Sequence, residues 1–526
     1  MTSEDLIHEL RKPSCYPSAP ASVELIQTHL SIVCLAGDLV YKLKKSITLP
    51  FVDFAPLAAR RHACREEVRL NRRLCPDTYL GAASLRRTEH GLRFAEVGDD
   101  EGDDDVDVAV VMRRMPQDRM LDELVRDGSV TEAQVRELAG IVARFHKAAE
   151  RGDDVATLGD PRSLSRFAAA NFDELAAIPD HGLPAQLLAQ LAQASAADFT
   201  RVLPELQRRA ASGFVVDGHG DLHTRNVCMT SPPAIYDCIE FEPAFRCGDV
   251  ATEIAFLAMD LRYRGAPELA EAFVDAYAAQ SGDERLAELL PTLCGYRAMV
   301  RAKVAALAAA ESELPEGDRV GARQSAYRHV VLASSYAIET RGPLWIVVCG
   351  PPASGKSSLC RELAALTHWP QLATDVVRKQ LAGIAAEETA RAEHYTAEFS
   401  KRTYGELQRL AAEQTAQDQR VVLLDGNFPS AEHRRTAAAA ARQAGAQFVL
   451  LVVEVDPQTA MRRAEARSGQ PGNVSDADAD VTKRLHGRFV APADDEGLPV
   501  LRLDGTKPTV ELANESLGWL LDTSQS

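Results

Sequence analysis

The chain's 526 residues suffice for about three compact units of roughly 150 residues each. Its 46% apolar and 26% charged residues exclude a wholly disordered or fibrous chain. The net charge of −17 repels polyanions and disfavours sequence-independent binding to duplex DNA or acidic membranes.

The opening MTSEDLIHEL has acids where a secretory signal needs a basic region and an apolar core. No uninterrupted apolar stretch reaches the roughly 20 residues of a membrane helix. Ten cysteines are scattered from Cys15 to Cys360 without a CxxC pair, which predicts buried reduced thiols rather than disulfides or a zinc site. A cytoplasmic protein is the expectation.

Residues 21–48 carry two short apolar runs, LSIVCL and DLVYKL, with Ala36-Gly37-Asp38 between them, the pattern of a hairpin. Residues 56–74 have helical spacing, with Leu57, Ala63, Val68 and Leu70 as core positions. A second strand pair follows, broken by the acidic run Asp99 to Asp107, read as a solvated hairpin tip with a metal loop as the lesser alternative. From about residue 119 good helix formers dominate, interrupted by short strands at Phe214–Asp217 and Ala234–Asp237. IETRGP, residues 338–343, reads as a linker punctuated by Gly342-Pro343. Beyond it apolar strands alternate with helices, which predicts a parallel sheet covered on both faces, and then a terminal amphipathic helix.

Two phosphate-handling patterns of unrelated design stand out. The first is HGDLHTRN, His219 to Asn226, followed by IYDCIEF with Asp237. Phosphoryl transfer needs aligned oxygens, neutralised charge and an acceptor for the hydroxyl proton. A loop bearing Asp221 and, five residues later, Asn226 can hold a base and a magnesium ligand, and Asp237 would place the metal between phosphates. The order is that of protein kinases, with His-Gly-Asp in place of their His-Arg-Asp. With His223 following, the segment resembles the aminoglycoside phosphotransferase family and its choline- and fructosamine-kinase relatives, over roughly residues 20–335.

That resemblance implies Asp221 as catalytic base and Asn226 and Asp237 as magnesium ligands. It implies Lys42 of VYKLKK as the lysine on the α- and β-phosphates, with Glu67 as its partner and Glu66 as the rival choice. Lys44 and Lys45 adjoin Lys42, and such a cluster is usually solvated. Asp249 is read as structural, and Glu240 and Glu242 as the nearest candidates for substrate or metal contacts. No glycine-rich phosphate loop is visible in the small lobe.

The second pattern is GPPASGKS, Gly350 to Ser357, which fits GxxxxGK[ST] in full between an expected strand and helix. Backbone N–H groups around Gly350, Ser354, Gly355 and Ser358 would cradle phosphates at the helix N-terminus. Lys356 would reach the β- and γ-phosphates, and Ser357 would ligate magnesium. Asp375, nineteen residues after Lys356 in LATDVVRKQ, resembles with Arg378 the TDxxR arrangement of zeta-toxin, polynucleotide-kinase and chloramphenicol-phosphotransferase relatives, over roughly residues 343–505. By that resemblance Asp375 accepts the hydroxyl proton, Arg378 helps hold substrate, and Asp425 of RVVLLDGNF acts on magnesium. Arg462, Arg463 and Arg467 would close on the transferring phosphate. The plainer alternatives are a helix N-cap for Asp375 and a solvated helix face for the arginines. Gly426-Asn427 after Asp425 leaves no carboxylate to activate water, which favours a small-molecule kinase over an ATPase motor.

The expected fold class is mixed, α/β and α+β. A two-lobed protein-kinase-like domain (1–118 small lobe and hinge, 119–337 helical lobe) and a linker at 338–343 precede a P-loop parallel-sheet domain at 344–526. The expected function is a bifunctional ATP- and Mg2+-dependent phosphotransferase acting on hydroxyls of small-molecule acceptors. The alternative is a nucleotide-binding regulatory protein using one or both sites as switches. RNA-end phosphorylation conflicts with the acidic balance.

Overall fold

The computed structural model describes residues 3–49, 52–99, 102–385, 388, 391–467, 487 and 489–523. They form two compact units, one of residues 1–167 with 202–293, the other of 168–201 with 294–526.

The first unit begins with an antiparallel sheet of six strands: β1 (Val23–Gln27), β2 (Ser31–Ala36), β3 (Leu39–Lys44), β4 (Tyr79–Thr88), β5 (Gly91–Phe94) and β6 (Asp105–Arg113). Their order is β1-β2-β3-β6-β4-β5. β2 and β3 form the expected hairpin, and Gly37 turns it with φ +66°, a left-handed value that glycine adopts without strain. Alternation along β3 sends Tyr41 and Leu43 to one face, against Tyr16 and Phe94, and Val40 to the other, against Cys64 and Val68. Those last two lie on α1 (Leu57–Asn71), which crosses the second face. Lys42 and Lys44 share the face of Val40 and so point toward α1.

The acidic run departs from the solvated reading. Gly102 to Asp104 are exposed, but Asp105 and Asp107 continue into β6 and are buried. Arg61, Arg86 and Ser84 hold the Asp105 carboxylate, and Arg60 holds that of Asp107 at 2.8 Å. Period-two alternation turns these acids inward, where arginines neutralise them.

The larger lobe is helical, with short strands that fix two loops. Val215–Asp217 pairs with Cys247–Asp249, and Val227–Cys228 with Ala234–Ile235. Helix α2 (Val250–Tyr263) is buried through Leu261, and Asp249 caps it by accepting the Ala251 N–H at 2.9 Å. Asp249 also pairs with buried Arg209, which reaches Asp283 at 2.7 Å, so its expected structural part is met.

The second unit is built on five parallel strands: β7 (Leu344–Cys349), β8 (Gln371–Ala373), β9 (Val421–Asp425), β10 (Gln447–Glu454) and β11 (Val500–Asp504), in the order β8-β9-β7-β10-β11. The three inner strands are almost wholly buried, as continuous apolar runs require when helices cover both faces. Helices α3 (Lys356–Thr367) and α4 (Thr374–Ala382) start at the C-terminal ends of β7 and β8, and α5 (Pro457–Arg467) follows β10.

The expected linker at 338–343 begins inside a helix, Glu316–Glu339. Ile338 and Glu339 are buried, and Glu339 accepts the Trp369 indole N–H at 2.7 Å. Apolar burial carries the helix past the point where Gly342-Pro343 suggests a break. All ten cysteines are free and buried. Among the described residues no helix is long and apolar enough to cross a membrane.

Candidate active sites

In the first unit β3, α1 and the two loops of the helical lobe converge. Glu67, fully buried on α1, takes Lys42 Nζ at 2.9 Å on one oxygen and Lys44 Nζ at 2.5 Å on the other. Lys42 also donates to Asp237 at 2.5 Å. Burial opposes the Lys42 charge, but Asp237 and Glu67 outweigh it and hold the ammonium pKa well above its ordinary value. Burial alone would raise Glu67; Lys42 and Lys44 bring it down to about 2. Glu66 instead faces outward to Arg69 at 2.7 Å, so of the two candidates only Glu67 meets the strand lysine.

The catalytic-loop candidates lie together. Asn226 Nδ2 donates to the Asp221 carboxylate at 3.0 Å and to its backbone carbonyl at 2.9 Å, leaving the amide oxygen directed elsewhere. His223 Nε2 lies 3.3 Å from the same carboxylate. Asp237 has φ +64°, a left-handed conformation that Asp tolerates better than most residues, and its N–H reaches the Tyr79 hydroxyl. His219 links the two segments: its Nδ1 accepts the Asp221 N–H at 3.3 Å and its Nε2 lies 3.1 Å from the Tyr236 carbonyl. That pattern requires the neutral imidazole with the proton on Nε2, and burial lowers the His219 pKa accordingly.

Several positioning groups have no motif. Glu253, buried on α2, accepts the N–H groups of His219 and Gly220, the second at 2.7 Å, and His146 Nε2 at 2.8 Å. Burial would raise its carboxyl, but His146, His219 and the backbone donors hold it down at about 2. His146 Nδ1 meets the Tyr277 hydroxyl at 2.8 Å. Arg73 ties the end of α1 to the carbonyls of Asp217 and Gly218 at 2.8 and 2.6 Å, and Asn71 accepts the Cys238 N–H at 2.9 Å. Glu253 lies four residues beyond Asp249, one helical turn along, which is the one trace it leaves in the sequence. Glu242 caps the short helix Pro243–Arg246 by accepting the Ala244 N–H at 3.1 Å, and Glu240 pairs with Lys44.

In the second unit Gly350 to Ser357 link β7 to α3. Gly350 and Gly355 have φ of +149° and +107°, and a Cβ on Gly350 would lie 2.3 Å from the Val453 carbonyl oxygen, so the backbone there admits only glycine. The Ser354 hydroxyl is buried with no hydrogen-bond partner among the described residues. Ser357 Oγ donates to Asp425 at 3.1 Å, and Gln371 Nε2 approaches the other Asp425 oxygen at 3.4 Å. Burial raises the Asp425 pKa, against the pull of Lys356 and Ser357. Ser358 is exposed on the first turn of α3.

Asp375 is half-buried, at the second position of α4. The N-cap is Ala373, so capping does not account for Asp375. Arg378 is buried, donates to the His394 carbonyl at 2.7 Å and lies over the Tyr395 ring. The lid arginines separate. Arg463 donates to the carbonyls of Ser354 and Gly505 at 3.2 and 2.8 Å, buttressing the P-loop from behind. Arg462 turns outward to Thr459. The Arg467 side chain lies outside the described residues.

The groups present fit a magnesium nucleotide at each site. Asn226 with Asp237, and Ser357 with Asp425, supply the hard oxygen donors that Mg2+ prefers. The side-chain-free turn at Gly350 and the unpartnered Ser354 hydroxyl suit a phosphate cradle.

Residues 52–289 match the family model described as phosphotransferase enzyme family, and residues 345–492 one described as AAA domain. The chain is thus a kinase, an aminoglycoside-phosphotransferase-like domain joined to a P-loop kinase domain. It belongs to the family of a Mycobacterium tuberculosis (strain ATCC 25618 / H37Rv) protein described as uncharacterized protein Rv2004c. The two are 32% identical over 361 residues, which cover 68% of each chain. Uncharacterized protein Mb2027c of Mycobacterium bovis matches to the same extent.

Among solved structures, a gluconokinase from Sinorhizobium meliloti 1021 is 17% identical, covering 35% of this chain and 95% of its own, with a TM-score of 0.27. A sugar kinase from Janibacter sp. HTCC2649 is 16% identical over 34% of this chain and 94% of its own, at 0.26. At these scores neither carries an assignment.

Proposed function

We propose that this kinase is bifunctional, with one ATP- and Mg2+-dependent active site in each domain, the linker between them in sequence at residues 338–343. Each would pass a γ-phosphoryl group to a hydroxyl of a small-molecule acceptor in the cytoplasm. In the first site Asp221 takes the hydroxyl proton as the acceptor oxygen bonds to phosphorus and the bond to the β-phosphate oxygen breaks. Asn226 orients Asp221, and Lys42, aligned by Glu67, binds phosphate. In the second site Asp375 takes the proton, Lys356 binds the β- and γ-phosphates, and Arg463 supports the cradle of Gly350, Ser354, Gly355 and Ser358. Magnesium held by Asn226 and Asp237, or by Ser357 and Asp425, would neutralise charge on the transferring phosphate.

The observation supporting this reading is that Lys42 bonds both Glu67 and Asp237, Asn226 bonds Asp221, and His219 bridges the two groups, although these residues are spread over nearly 200 residues of chain. A protein using ATP only as a switch needs no Asp221.

The test is product-coupled ATP turnover across a pooled library of sugars, nucleosides, amino sugars, cholines and aminoglycosides. Wild type, Asp221→Asn and Lys356→Ala are run in parallel. Acceptor-dependent turnover lost in only one variant assigns a substrate class to that domain. ATP binding without acceptor-stimulated turnover transfers the weight to the regulatory reading.

A further inference from the structure

Lys42 and Lys44 stand two residues apart on β3, and each lies between two carboxylates. Glu67 serves both from α1. From the helical lobe Asp237 meets Lys42 and, three residues on, Glu240 meets Lys44. The two halves of this ladder differ in access. The Asp237 side chain is 42% exposed and that of Lys42 14%, whereas Lys44 and Glu240 are sealed at 2% and 5%. A nucleotide can reach the first half and not the second. Lys42 has three donor hydrogens, and a phosphate that takes the one now given to Asp237 leaves the lysine held by Glu67 alone.

We propose that Lys44 and Glu240 are positioning residues of the first nucleotide site. They hold the second oxygen of Glu67 so that Lys42 keeps its direction whether or not it is bound to Asp237. The inference rests on the reading of Lys42 as the phosphate lysine. Stability alone does not explain the pair, because a buried ion pair is often no better for folding than apolar side chains of the same volume. A metal-ligand role for Glu240 is disfavoured by its commitment to Lys44 and its lack of access.

The test measures MgATP binding by calorimetric titration in a Lys356→Ala background, where the P-loop site is silent. The double variant Lys44→Met/Glu240→Leu removes both charges and leaves neither buried alone. It is expected to stay folded and to bind MgATP about tenfold or more weakly. Unchanged affinity in the folded double variant overturns the inference, since a purely structural pair would alter melting and not binding. If the double variant does not fold, Glu240→Gln replaces it, with a weakening of about threefold or more expected; unchanged affinity there is equally decisive against it. Glu66→Gln, on the outer face of α1, serves as the control with wild-type binding. Lys42→Met separates the two levels: if it leaves binding intact, the reading of the site itself fails. If it abolishes binding while the double variant does not, only the positioning inference falls.

Discussion

Replacing Glu253 by Gln isolates the charge that holds the HGD loop. The amide oxygen can still accept from His219 and Gly220, and its NH2 can donate to His146, whose ring then donates from Nδ1 to Tyr277. Shape and hydrogen-bond count survive, and what is lost is the extra strength of three bonds to a charged acceptor, about 1 kcal/mol each. The pKa points to the same size. The folded carboxyl sits at about 2 against its ordinary 4.5. At 1.36 kcal/mol per unit that depression corresponds to about 3 kcal/mol.

A depressed acid stabilises the fold above its unfolded pKa, and the contribution is lost as pH falls through the folded value. The variant should therefore be less stable near neutrality, by roughly 6–12 °C in the melting of its unit. The gap to wild type should narrow as pH falls from about 4.5 toward 2. Calorimetry is the suitable probe, because all three tryptophans, Trp345, Trp369 and Trp519, lie in the other unit. Their fluorescence gives an internal control. A first-unit transition unchanged at pH 7, or a gap that stays constant down to pH 3, would refute the reasoning.

Three further outcomes are expected. Gly218→Ala places a Cβ 2.2 Å from the Glu253 carboxylate, so the loop must shift; first-site turnover should fall about 10²-fold with the second site unaffected, as acceptor-coupled kinetics would show. Arg463→Ala removes the donors to the Ser354 and Gly505 carbonyls and should weaken ATP binding at the P-loop about tenfold, measured in an Asp221→Asn, Lys42→Met background. Arg434→Met leaves the Glu496 carboxylate buried without its guanidinium and frees the carbonyls of Phe428 and Val490. Tryptophan-detected denaturation should report a loss of about 3–5 kcal/mol.

Much of the fold was legible because its rules are local. Continuous apolar runs such as Leu344–Cys349 became inner parallel strands, and Gly37 turned the hairpin it punctuated. Part of the acidic run and the first two residues of the linker were misread for one shared reason. Asp105, Asp107, Ile338 and Glu339 look like surface residues until arginines, a tryptophan indole or apolar neighbours from distant segments arrive to cover them. The same holds for Lys44, which looks like one of a solvated cluster and proves to be sealed between Glu67 and Glu240.

The sequence by itself determined the two phosphate-binding designs, because each needs a fixed spacing on one loop: Asp221 to Asn226, and Gly350 to Ser357. Only the tertiary structure decided the partners. It selected Glu67 over Glu66, made Arg463 a buttress, and revealed Glu253 as the anchor of the HGD loop. Spacing along a chain fixes what one loop can hold. Which buried charge meets which counter-charge depends on strand register and helix rotation, and those are set by packing across the whole unit.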